Sequence, residues 1–459
     1  MAMKRGFLNS SKAKERPLGP ATVAASSVSK RAAAIKPDIV RPYPTTKKAT
    51  VDLLEIDALD IENKKYEFPR NDSLIYTTLP PDAKDDEPVT ECILCPGSKE
   101  VVINTPGFPQ PLVHPATPAF RLDTVPGKGM GLFSTRDLKM GDLILSERPL
   151  IVSTRATRVK GIPNQAREMF IQHSMDMFEK CCALAVDRMR PENKAAFMAL
   201  ANSHTKDGSG QCVGIMRTNG VGIDGLLPDE TNLPSTTCCP NTDVHFDVPS
   251  FSYRLYAVRD IPAGEELTFS YVDIEKPTAE RQKVLKPYGF VCTCSACTDP
   301  SSDARRATFE PSMKNLIKWG MYERTLPSDW MIKKSLQQLV LLTAEKMQQH
   351  EKYSEATRAI MEAYICLGDA VNASKWAAKV RQQAWAGTYS LADIELLLDP
   401  ANTAAYETHL FWRLRVDPPG GKAMTKLMQN MFEYANKTPE AAAILAGCHP
   451  ASTKLSAQR

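Results

Sequence analysis

The sequence contains no apolar run that approaches the roughly 20 residues of a membrane-spanning helix. No apolar core follows Lys4 and Arg5 either, although a secretory signal peptide would have one there. These two absences predict a soluble, non-secreted protein that has no membrane partner.

Acidic residues are almost missing from residues 1–50, which hold eleven Lys and Arg but only Glu15 and Asp38. The segment is rich in Ala, Ser and Pro and has few aromatic residues, so it cannot bury enough apolar surface to fold alone. We expect a solvated basic tail. The same composition fits a segment that contacts nucleic acid or chromatin, a nuclear-import signal, or a mitochondrial transit peptide, and these alternatives stay open.

Twelve cysteines in 459 residues, three of them in one Cys292-x-Cys294-x-x-Cys297 cluster, favour a reducing compartment over a disulfide framework. Three thiolates on one short loop are typical of a zinc site, and tetrahedral zinc takes a fourth ligand. Cys92 and Cys95 form an isolated Cys-x-x-Cys. Because no second pair lies nearby, two ordinary thiols are favoured over a metal site there.

The pattern of apolar residues changes along the chain. Residues 51–90 turn acidic and contain several prolines, which predicts a linker, and the proline-marked residues 106–118 continue the connection. Helices are predicted after residue 297. Before it, the periodicity predicts short strands over Phe120–Val152, helices over Pro163–Ser203, and strands again over Gln211–Ile223 and Phe251–Val258.

Several of the predicted helices have one apolar face. Ser328 is the expected N-cap of one helix and Gly368 the expected end of the next, and Pro191 should break the earlier helical segment. The faces expected to be buried are Met169, Phe170, Met177, Phe178 and Cys182; Ile332, Leu336, Leu339, Val340 and Met347; Ala356, Ala359, Ile360, Ala363, Tyr364 and Leu367; and Trp376, Val380 and Ala384.

Two segments more than a hundred residues apart share one layout. Each has Arg-Asp, an apolar residue, a turn with glycine and then an acidic residue before an apolar strand: Thr135–Leu145 and Val258–Thr268. Both are predicted to be strand, turn, strand units in which Gly141 and Gly264 supply the permissive backbone.

The stretch from Glu265 to Cys297 joins a strand that ends at Tyr271 to the cysteine cluster. Together with the upstream turn Gly127-Lys-Gly-Met-Gly131, it resembles the end of a SET domain with its cysteine-rich post-SET tail, and it is most similar to the branch related to the SET-and-MYND proteins. The resemblance implies an α+β fold. That fold would be a SET-type β fold of short strands with a helical insertion and a zinc-bound post-SET loop, followed by an all-α C-terminal domain.

The resemblance also gives the expected domain boundaries. Because the insertion has only the adjacent Cys181 and Cys182, no MYND finger is expected. The C-terminal helices are either tetratricopeptide-like or a plain bundle. The segments are a mostly disordered N-terminal region, basic and then acidic (1–115), the first part of the SET domain (116–155), the helical insertion (156–207), the second part of the SET domain (208–285), the post-SET zinc loop (286–300) and the helical domain (305–449).

The resemblance implies S-adenosylmethionine-dependent methyl transfer to the ε-amine of a protein lysine, in a histone or another protein. It assigns catalysis to Tyr271 and the lining of the lysine channel to Tyr288. The residues expected to contact S-adenosylmethionine are Lys128, Gly129, Met130, Asn219 and Phe290. The expected ligands of a structural zinc are Cys238, Cys292, Cys294 and Cys297.

One motif departs from the family pattern Asn-His-Ser-Cys-x-Pro-Asn. Cys238, Pro240 and Asn241 match it, but Ser235 and Thr236 stand where the family has the cofactor-contacting Asn and His. Either those contacts are lost or a short upstream segment is missing from the sequence. The alternative to an enzyme is therefore a catalytically weak or inactive SET-fold protein-interaction module. The expected partner is a protein with a target lysine, and we expect a monomer in the nucleus, the cytoplasm or both.

Overall fold

The computed structural model describes residues 74–94, 97–125, 129–153, 167–223, 239–270, 272–286, 291–310, 312–386, 390–418, 421–422, 425–426 and 429. The chain divides into two compact units, Met1–Asp303 and Ala304–Arg459. Among the helices of the described residues, none combines the length and the apolar character of a membrane-crossing segment.

The first unit is built on short strands. In the described part of the chain they are β1 (Ile75–Leu79), β2 (Thr90–Leu94), β3 (Phe120–Val125), β4 (Gly129–Ser134), β5 (Leu143–Glu147), β6 (Ile151–Ser153), β7 (Thr242–Asp247), β8 (Ser252–Ala257) and β9 (Glu266–Leu267). They form three sheets with the strand orders β1-β2-β6, β3-β4-β9 and β5-β8-β7. The pairings are antiparallel except for the parallel pair β2-β6. The short strands predicted over Phe120–Val152 and Phe251–Val258 are therefore confirmed.

The predicted linker over residues 51–90, and the predicted start of the fold near residue 116, are wrong for the described residues, because β1 and β2 belong to the fold. A short helix, α1 (Ser98–Ile103), follows them. Every residue of β2 is buried. Its parallel partner β6 lies far along the chain, with Cys92 opposite Val152, and so distant a partner leaves no local signal. Burial raises the pKa of the Cys92 thiol, which makes this cysteine an ordinary core residue.

A buried arginine joins three connecting segments of the first unit. The guanidinium of Arg148 donates to the carbonyls of Pro88 at 2.8 Å, Gln110 at 3.2 Å and Ser250 at 3.2 Å. Loop carbonyls have no ladder partner of their own, and here a side chain satisfies them. One side chain therefore holds the N-terminal segment against the rest of the unit.

The two similar segments found in the sequence meet in the structure. Leu138 and Ile261 form an antiparallel bridge, in which each backbone N–H donates to the other residue's carbonyl, at 2.8 and 2.9 Å. Gly141 and Gly264 have φ angles of 92° and 82°, where a side chain would be strained. The prediction that these two glycines supply permissive backbone is confirmed.

The aspartate of each turn accepts a hydrogen bond from the backbone of the other turn. The carboxylate of Asp137 accepts from the backbone N–H of Ala263 at 2.8 Å, and the carboxylate of Asp260 accepts from that of Met140 at 3.1 Å. Each turn thus satisfies a backbone donor of the other. The resulting paired turns, residues 136–142 and 259–265, join the sheet β3-β4-β9 to the sheet β5-β8-β7.

The described part of the segment between β6 and β7 contains three helices joined by irregular stretches. Its helices are α2 (Arg167–Arg188), α3 (Pro191–Met198) and α4 (Gln211–Asn219). The break at Pro191 is confirmed. Cys182 is buried as predicted, but Met169 is 59% exposed, so the buried face of α2 is rotated from the predicted one. The buried apolar residues of this helix are Ile171, Met175, Cys182, Ala185 and Val186.

The strand predicted over Gln211–Ile223 is wrong, because residues 211–219 form α4. Its β-branched residues favour a strand locally. The carboxylate of Glu179 on α2 nevertheless accepts from the backbone N–H groups of Cys212 at 3.0 Å and Val213 at 2.8 Å. These are orphan donors at the start of a helix, and an acidic side chain stabilises that end. Tertiary contacts therefore override the local preference.

The regular elements described in the second unit are helices. They are α8 (Ser312–Met321), α9 (Trp330–Ala344), α10 (Glu351–Cys366), α11 (Ala370–Gln382), a 3-10 turn (Ala384–Ala386), α12 (Leu391–Leu397) and α13 (Thr403–Thr408). As predicted, α10 buries Ala356, Ala359 and Ile360 completely. Gly368 follows it with φ 72°, which confirms the predicted end of that helix.

The face predicted for α9 is confirmed at Ile332 and, just beyond the helix, at Met347, which are buried, but it is wrong at Leu336 and Val340. The helix begins after Asp329 and not after Ser328. Val340 is 68% exposed and Leu336 39% exposed. The buried positions of α9 are Met331, Ile332, Ser335, Gln338 and Leu342. A later start, together with polar residues at two buried positions, hides this face from a search for apolar periodicity.

Candidate cofactor and metal site

Six of the predicted site residues lie among the described residues: Gly129, Met130, Asn219, Cys292, Cys294 and Cys297. The structure therefore places two strand residues, one helix terminus and three cysteines. The other predicted residues lie outside the described residues: Lys128, Cys238, Tyr271, Tyr288 and Phe290, together with Ser235 and Thr236 of the departing motif and Cys95.

Gly129 and Met130 lie at the start of β4, paired with Val125 and Thr124 of β3. The sequence places them in a turn, whereas the structure makes them the first strand residues after it. On its other edge, β4 pairs with β9 through Leu132 opposite Leu267. The glycine-rich segment and the strand that precedes position 271 therefore share one three-stranded sheet.

Asn219 is the last residue of α4, so its predicted location on a strand is wrong. Its side-chain Nδ2 donates to the carbonyls of Ala201 at 2.7 Å and Ile215 at 2.6 Å. Its Oδ1 is buried and has no hydrogen-bond partner among the described residues. A buried acceptor that is left unpaired costs roughly 1–3 kcal/mol. An atom of this kind fits a ligand that brings its own donor.

The insertion holds Asn219 in place. The hydroxyl of Thr218 donates to the carbonyl of Gly214 at 2.7 Å and accepts from the backbone N–H of Ser203 at 2.9 Å. At the other end of α4, Glu179 accepts from two backbone N–H groups. The helix is therefore fixed at both ends, which sets the position of Asn219.

Asn241, the last residue of the Cys-x-Pro-Asn motif, is 1% exposed. Its side chain connects the motif to residues 265–268, and we call this set of contacts the Asn241 joint. Its Oδ1 accepts from the backbone N–H of Thr268 at 2.7 Å. Its Nδ2 donates to the carbonyl of Glu266 at 2.8 Å and to the carboxylate of Glu265 at 3.0 Å. The sequence marks this residue only as part of a motif. The structure shows that it ties the motif to β9.

The three cysteines of the cluster lie together, with Cys292, Cys294 and Cys297 placing their sulfurs within 4.8 Å of one another. Tetrahedral zinc with bonds of about 2.3 Å holds its sulfurs about 3.8 Å apart. The sulfurs are therefore close to the spacing that zinc requires. Soft thiolates are the ligands of a structural zinc site, so the donor set fits the metal.

A helix supports the cluster loop. After β9 come α5 (Thr278–Leu285), α6 (Ser295–Thr298) and α7 (Ser302–Arg306). The amide side chain of Gln282 on α5 bonds twice to the backbone of Cys292, accepting from its N–H at 3.0 Å and donating to its carbonyl at 2.7 Å. The Gln282 side chain thus fixes Cys292 through both the N–H and the carbonyl of its backbone.

Arg281, one residue earlier on α5, is fully buried. Its guanidinium donates to Cys297 Sγ at 3.7 Å, to the Ala296 carbonyl at 3.1 Å and to Asp303 at 3.2 Å. Burial alone would raise the pKa of Asp303, but hydrogen bonds from Thr278 and the charge of Arg281 outweigh it and lower that pKa. Arg281 and Gln282 carry no signal in the sequence, because an Arg-Gln pair on a basic helix looks solvent-facing.

The upstream cysteine motif also reaches the loop. Cys239 Sγ lies 3.8 Å from the hydroxyl of Ser295, which sits between Cys294 and Cys297. Cys239 itself is not within range of all three cluster sulfurs. The chain at position 239 is nevertheless close to the cluster, as the family arrangement requires for its neighbour Cys238.

Comparison with known proteins gives a SET domain over residues 129–272. The chain is 30% identical over 186 residues to the Histone-lysine N-methyltransferase set5 of Schizosaccharomyces pombe, covering 40% of this chain and 51% of that protein. It is 40% identical over 89 residues to the human Histone-lysine N-methyltransferase SMYD3, covering 19% of this chain and 20% of that protein.

A third relative is the Protein-lysine N-trimethyltransferase SMYD5 of Danio rerio, 30% identical over 128 residues, or 27% of this chain and 29% of that protein. The match spans about half the length of the fission-yeast relative and a smaller share of the other two. Strands β4 and β9 and the residue Asn241 lie within residues 129–272, the part of the chain that matches the SET domain. The resemblance seen in the sequence is thus confirmed: this chain carries a SET domain over residues 129–272, and parts of it are similar to lysine methyltransferases named set5 and SMYD3.

Proposed function

We propose that this protein is an S-adenosylmethionine-dependent methyltransferase that acts on a protein lysine, with Tyr271 as the catalytic residue. The observation that carries the proposal is the SET domain over residues 129–272; the buried Oδ1 of Asn219, which has no hydrogen-bond partner among the described residues, is consistent with it. A cofactor that brings an N–H group could donate to this acceptor.

S-adenosylmethionine, when bound, supplies a methyl group on a positively charged sulfonium. Asn219 would accept a hydrogen bond from it, and the backbone of Gly129 and Met130 would lie against it. Lys128 and Phe290 are the other proposed contacts. Nδ2 of Asn219 is already used by Ala201 and Ile215, so the acceptor orientation of this amide is fixed before the cofactor arrives.

The substrate lysine must reach the methyl group as a neutral amine. A free lysine has a pKa near 10.4 and is mostly protonated at pH 7. Enclosure in a narrow aromatic channel disfavours the charged form. In our proposal Tyr288 lines that channel, and the Tyr271 hydroxyl orients the amine lone pair toward the methyl group. Orientation of this kind accounts for a large part of the rate of a displacement.

We also propose a structural zinc bound by Cys238, Cys292, Cys294 and Cys297. The close approach of the three cluster sulfurs and the contact of Cys239 with Ser295 support it. Four thiolates leave no open position, so this zinc activates no water. Its role would be to hold the short post-SET loop, which has few apolar residues of its own, against the SET sheet.

The relatives named histone-lysine methyltransferases favour a histone as the substrate, which a nuclear or cytoplasmic enzyme would meet. The basic residues 1–50 would add sequence-independent attraction to nucleic acid or chromatin. The helical second unit, which we propose to be tetratricopeptide-like, would contact protein partners. None of these roles needs an oligomer, and we propose a monomer.

The decisive experiment is titration of the purified chain with S-adenosylmethionine in a calorimeter, followed by a methylation assay on histones. We expect wild-type protein to bind the cofactor and to methylate lysine. Tyr271→Phe should keep the binding and lose the methylation. Asn219→Ala should weaken binding at least tenfold, whereas Asn104→Ala, at an exposed position, should leave it unchanged.

The competing function is a SET-fold interaction module without catalysis, which the Ser235-Thr236 departure favours. It predicts that titration of wild-type protein with S-adenosylmethionine releases no heat of binding. It also predicts that wild type and Asn219→Ala give the same result. That outcome would overturn the enzyme proposal.

A further inference from the structure

The cysteine cluster has a buried positive charge beside it. Arg281 has no exposed surface, and its Nη2 lies 3.7 Å from Cys297 Sγ. Arginine side chains are rarely buried unless they are paired. The reason for burying this one lies in the groups that surround it.

Most of those groups are neutral oxygens. Besides the sulfur, the guanidinium donates to the Lys276 carbonyl at 2.5 Å, the Thr278 hydroxyl at 2.7 Å and the Ala296 carbonyl at 3.1 Å. Its ionic partner, Asp303, is 3.2 Å away and 36% exposed. This carboxylate is partly solvated, so it compensates the buried charge only in part.

With zinc bound, the cluster would supply further negative charge beside this guanidinium. Zinc with four thiolates carries a net charge of −2, and placing that charge near the interior is costly without a cation close by. A guanidinium N–H that donates to a sulfur lowers this cost. It also withdraws electron density from the sulfur, because a charge-assisted hydrogen bond polarises its acceptor.

We propose that Arg281 is a positioning residue of the zinc site, which compensates the charge of the thiolates through its contact with Cys297 and thereby raises the affinity for zinc. The inference rests on the zinc site proposed above. Partners of metal ligands typically change metal affinity by about 10–100-fold. The contact also explains why α5, which carries Arg281, is joined to the cluster loop at both Cys292 and Cys297.

The test compares zinc affinity in full-length protein by competition with a chromophoric chelator. Arg281→Gln should bind zinc about 10–100-fold more weakly than wild type, and Arg281→Lys should recover part of the loss because the charge remains. Lys283→Gln is the matched control: it removes one positive charge from an exposed position on the same helix and should leave zinc affinity within about twofold, as a distant, screened charge does.

A purely structural role for Arg281 predicts a different pattern. Asp303→Asn removes the ionic partner of the guanidinium but leaves its contact with the sulfur. We expect Asp303→Asn to lower the melting temperature while zinc affinity stays within about twofold, since the sulfur contact remains. Equal losses of zinc affinity in Asp303→Asn and Arg281→Gln would overturn the proposal, and so would an unchanged affinity in Arg281→Gln.

A spectroscopic readout separates the effect on the sulfur from loss of structure. In cobalt-substituted protein, loss of an N–H donor makes the sulfur a stronger electron donor, so the sulfur-to-cobalt charge-transfer band of Arg281→Gln should move to longer wavelength. An unshifted band with four thiolates still bound contradicts the inference. If wild-type protein itself binds neither metal, the zinc site of the proposed function fails, and that result is distinguishable from failure of the role of Arg281 alone.

Discussion

The two units of this chain are held together internally by different means. The helical unit buries one large apolar cluster that includes Trp319, Ile360 and Phe411. Among the described residues, the SET-bearing unit divides its apolar residues into several smaller clusters. Buried polar side chains, such as Arg148 and Asn241, join the segments between them.

The difference follows from the lengths of the elements. A helix of sixteen residues such as α10 presents a long apolar stripe, whereas a strand of two residues such as β9 presents almost none. Short strands therefore depend on side chains that bond to loop backbone. Substitutions in the helical unit should lower stability, and substitutions at the polar joints should also displace the residues that bind ligands.

The largest effect is expected in the helical core. Ile360 is completely buried on α10, and Ile360→Ala should lower the free energy of unfolding by about 2–5 kcal/mol through lost contacts and a cavity. Denaturant unfolding of the second unit measures it. Val340→Ala, at a 68% exposed position on α9, is the control and should change stability by less than about 0.5 kcal/mol. Equal losses of stability in Ile360→Ala and Val340→Ala would contradict the assignment of Ile360 to the apolar core of the helical unit.

Acid should weaken the same unit. Burial, together with Arg358 and Lys426, lowers the pKa of His409 to about 4, whereas an unfolded histidine titrates near 6.5. Between these values the unfolded chain binds more protons. The contribution of His409 to the free energy of unfolding is therefore fully present above pH 6.5. It is lost as the pH falls toward 4, by at most about 3 kcal/mol.

His409→Asn tests this pH dependence. Nδ1 of His409 accepts from the backbone N–H of Phe411 at 3.1 Å, and the asparagine oxygen can replace that acceptor without titrating. Thermal unfolding of the second unit, measured at intervals from pH 7 to pH 4, should show a shallower slope in the variant. An identical slope in both proteins would show that other groups cause the loss.

A moderate effect is expected at the Asn241 joint. Asn241→Ala leaves the buried N–H of Thr268 without its acceptor, which should cost about 1–3 kcal/mol. Because this joint holds β9, affinity for S-adenosylmethionine should fall as well. Calorimetric titration of protein shown to be folded measures it, and an unchanged affinity would separate the joint from the cofactor site. Ile360→Ala should leave that affinity unchanged.

The smallest effect is expected at the start of α4. Glu179→Gln weakens the acceptor for the N–H groups of Cys212 and Val213 and should lower stability by about 1 kcal/mol. Affinity for S-adenosylmethionine should fall a few-fold, because α4 ends at Asn219. Glu192→Gln, at an exposed position in the first turn of α3, is the matched control. A larger loss in the control would contradict the role of Glu179.

The sequence predicts the elements that carry their own periodic signal. The buried face of α10 and the positive φ of Gly141 and Gly264 follow from local chemistry. The strand β2 does not, since its burial depends on β6 far along the chain. The helix α4 is missed for the same reason: its β-branched residues favour a strand until Glu179 is brought to its N-terminus.

The candidate site is predictable only in part. The spacing of the cysteines predicts a metal site, and the structure brings Cys292, Cys294 and Cys297 together. Arg281 gives no such signal, because a basic residue on a polar helix is normally solvated and only the folded arrangement buries it. Asn219 is found by resemblance, but its unpaired oxygen is visible only once the partners of its Nδ2 are known.

The paired turns around Leu138 and Ile261 have a consequence for the evolution and engineering of this domain. Since the two turns bind each other directly, we expect them to stay associated when the polypeptide between β6 and β7 is cut. Two fragments that are divided inside that interval should reassemble when they are expressed together, so the domain is a natural candidate for a split reporter.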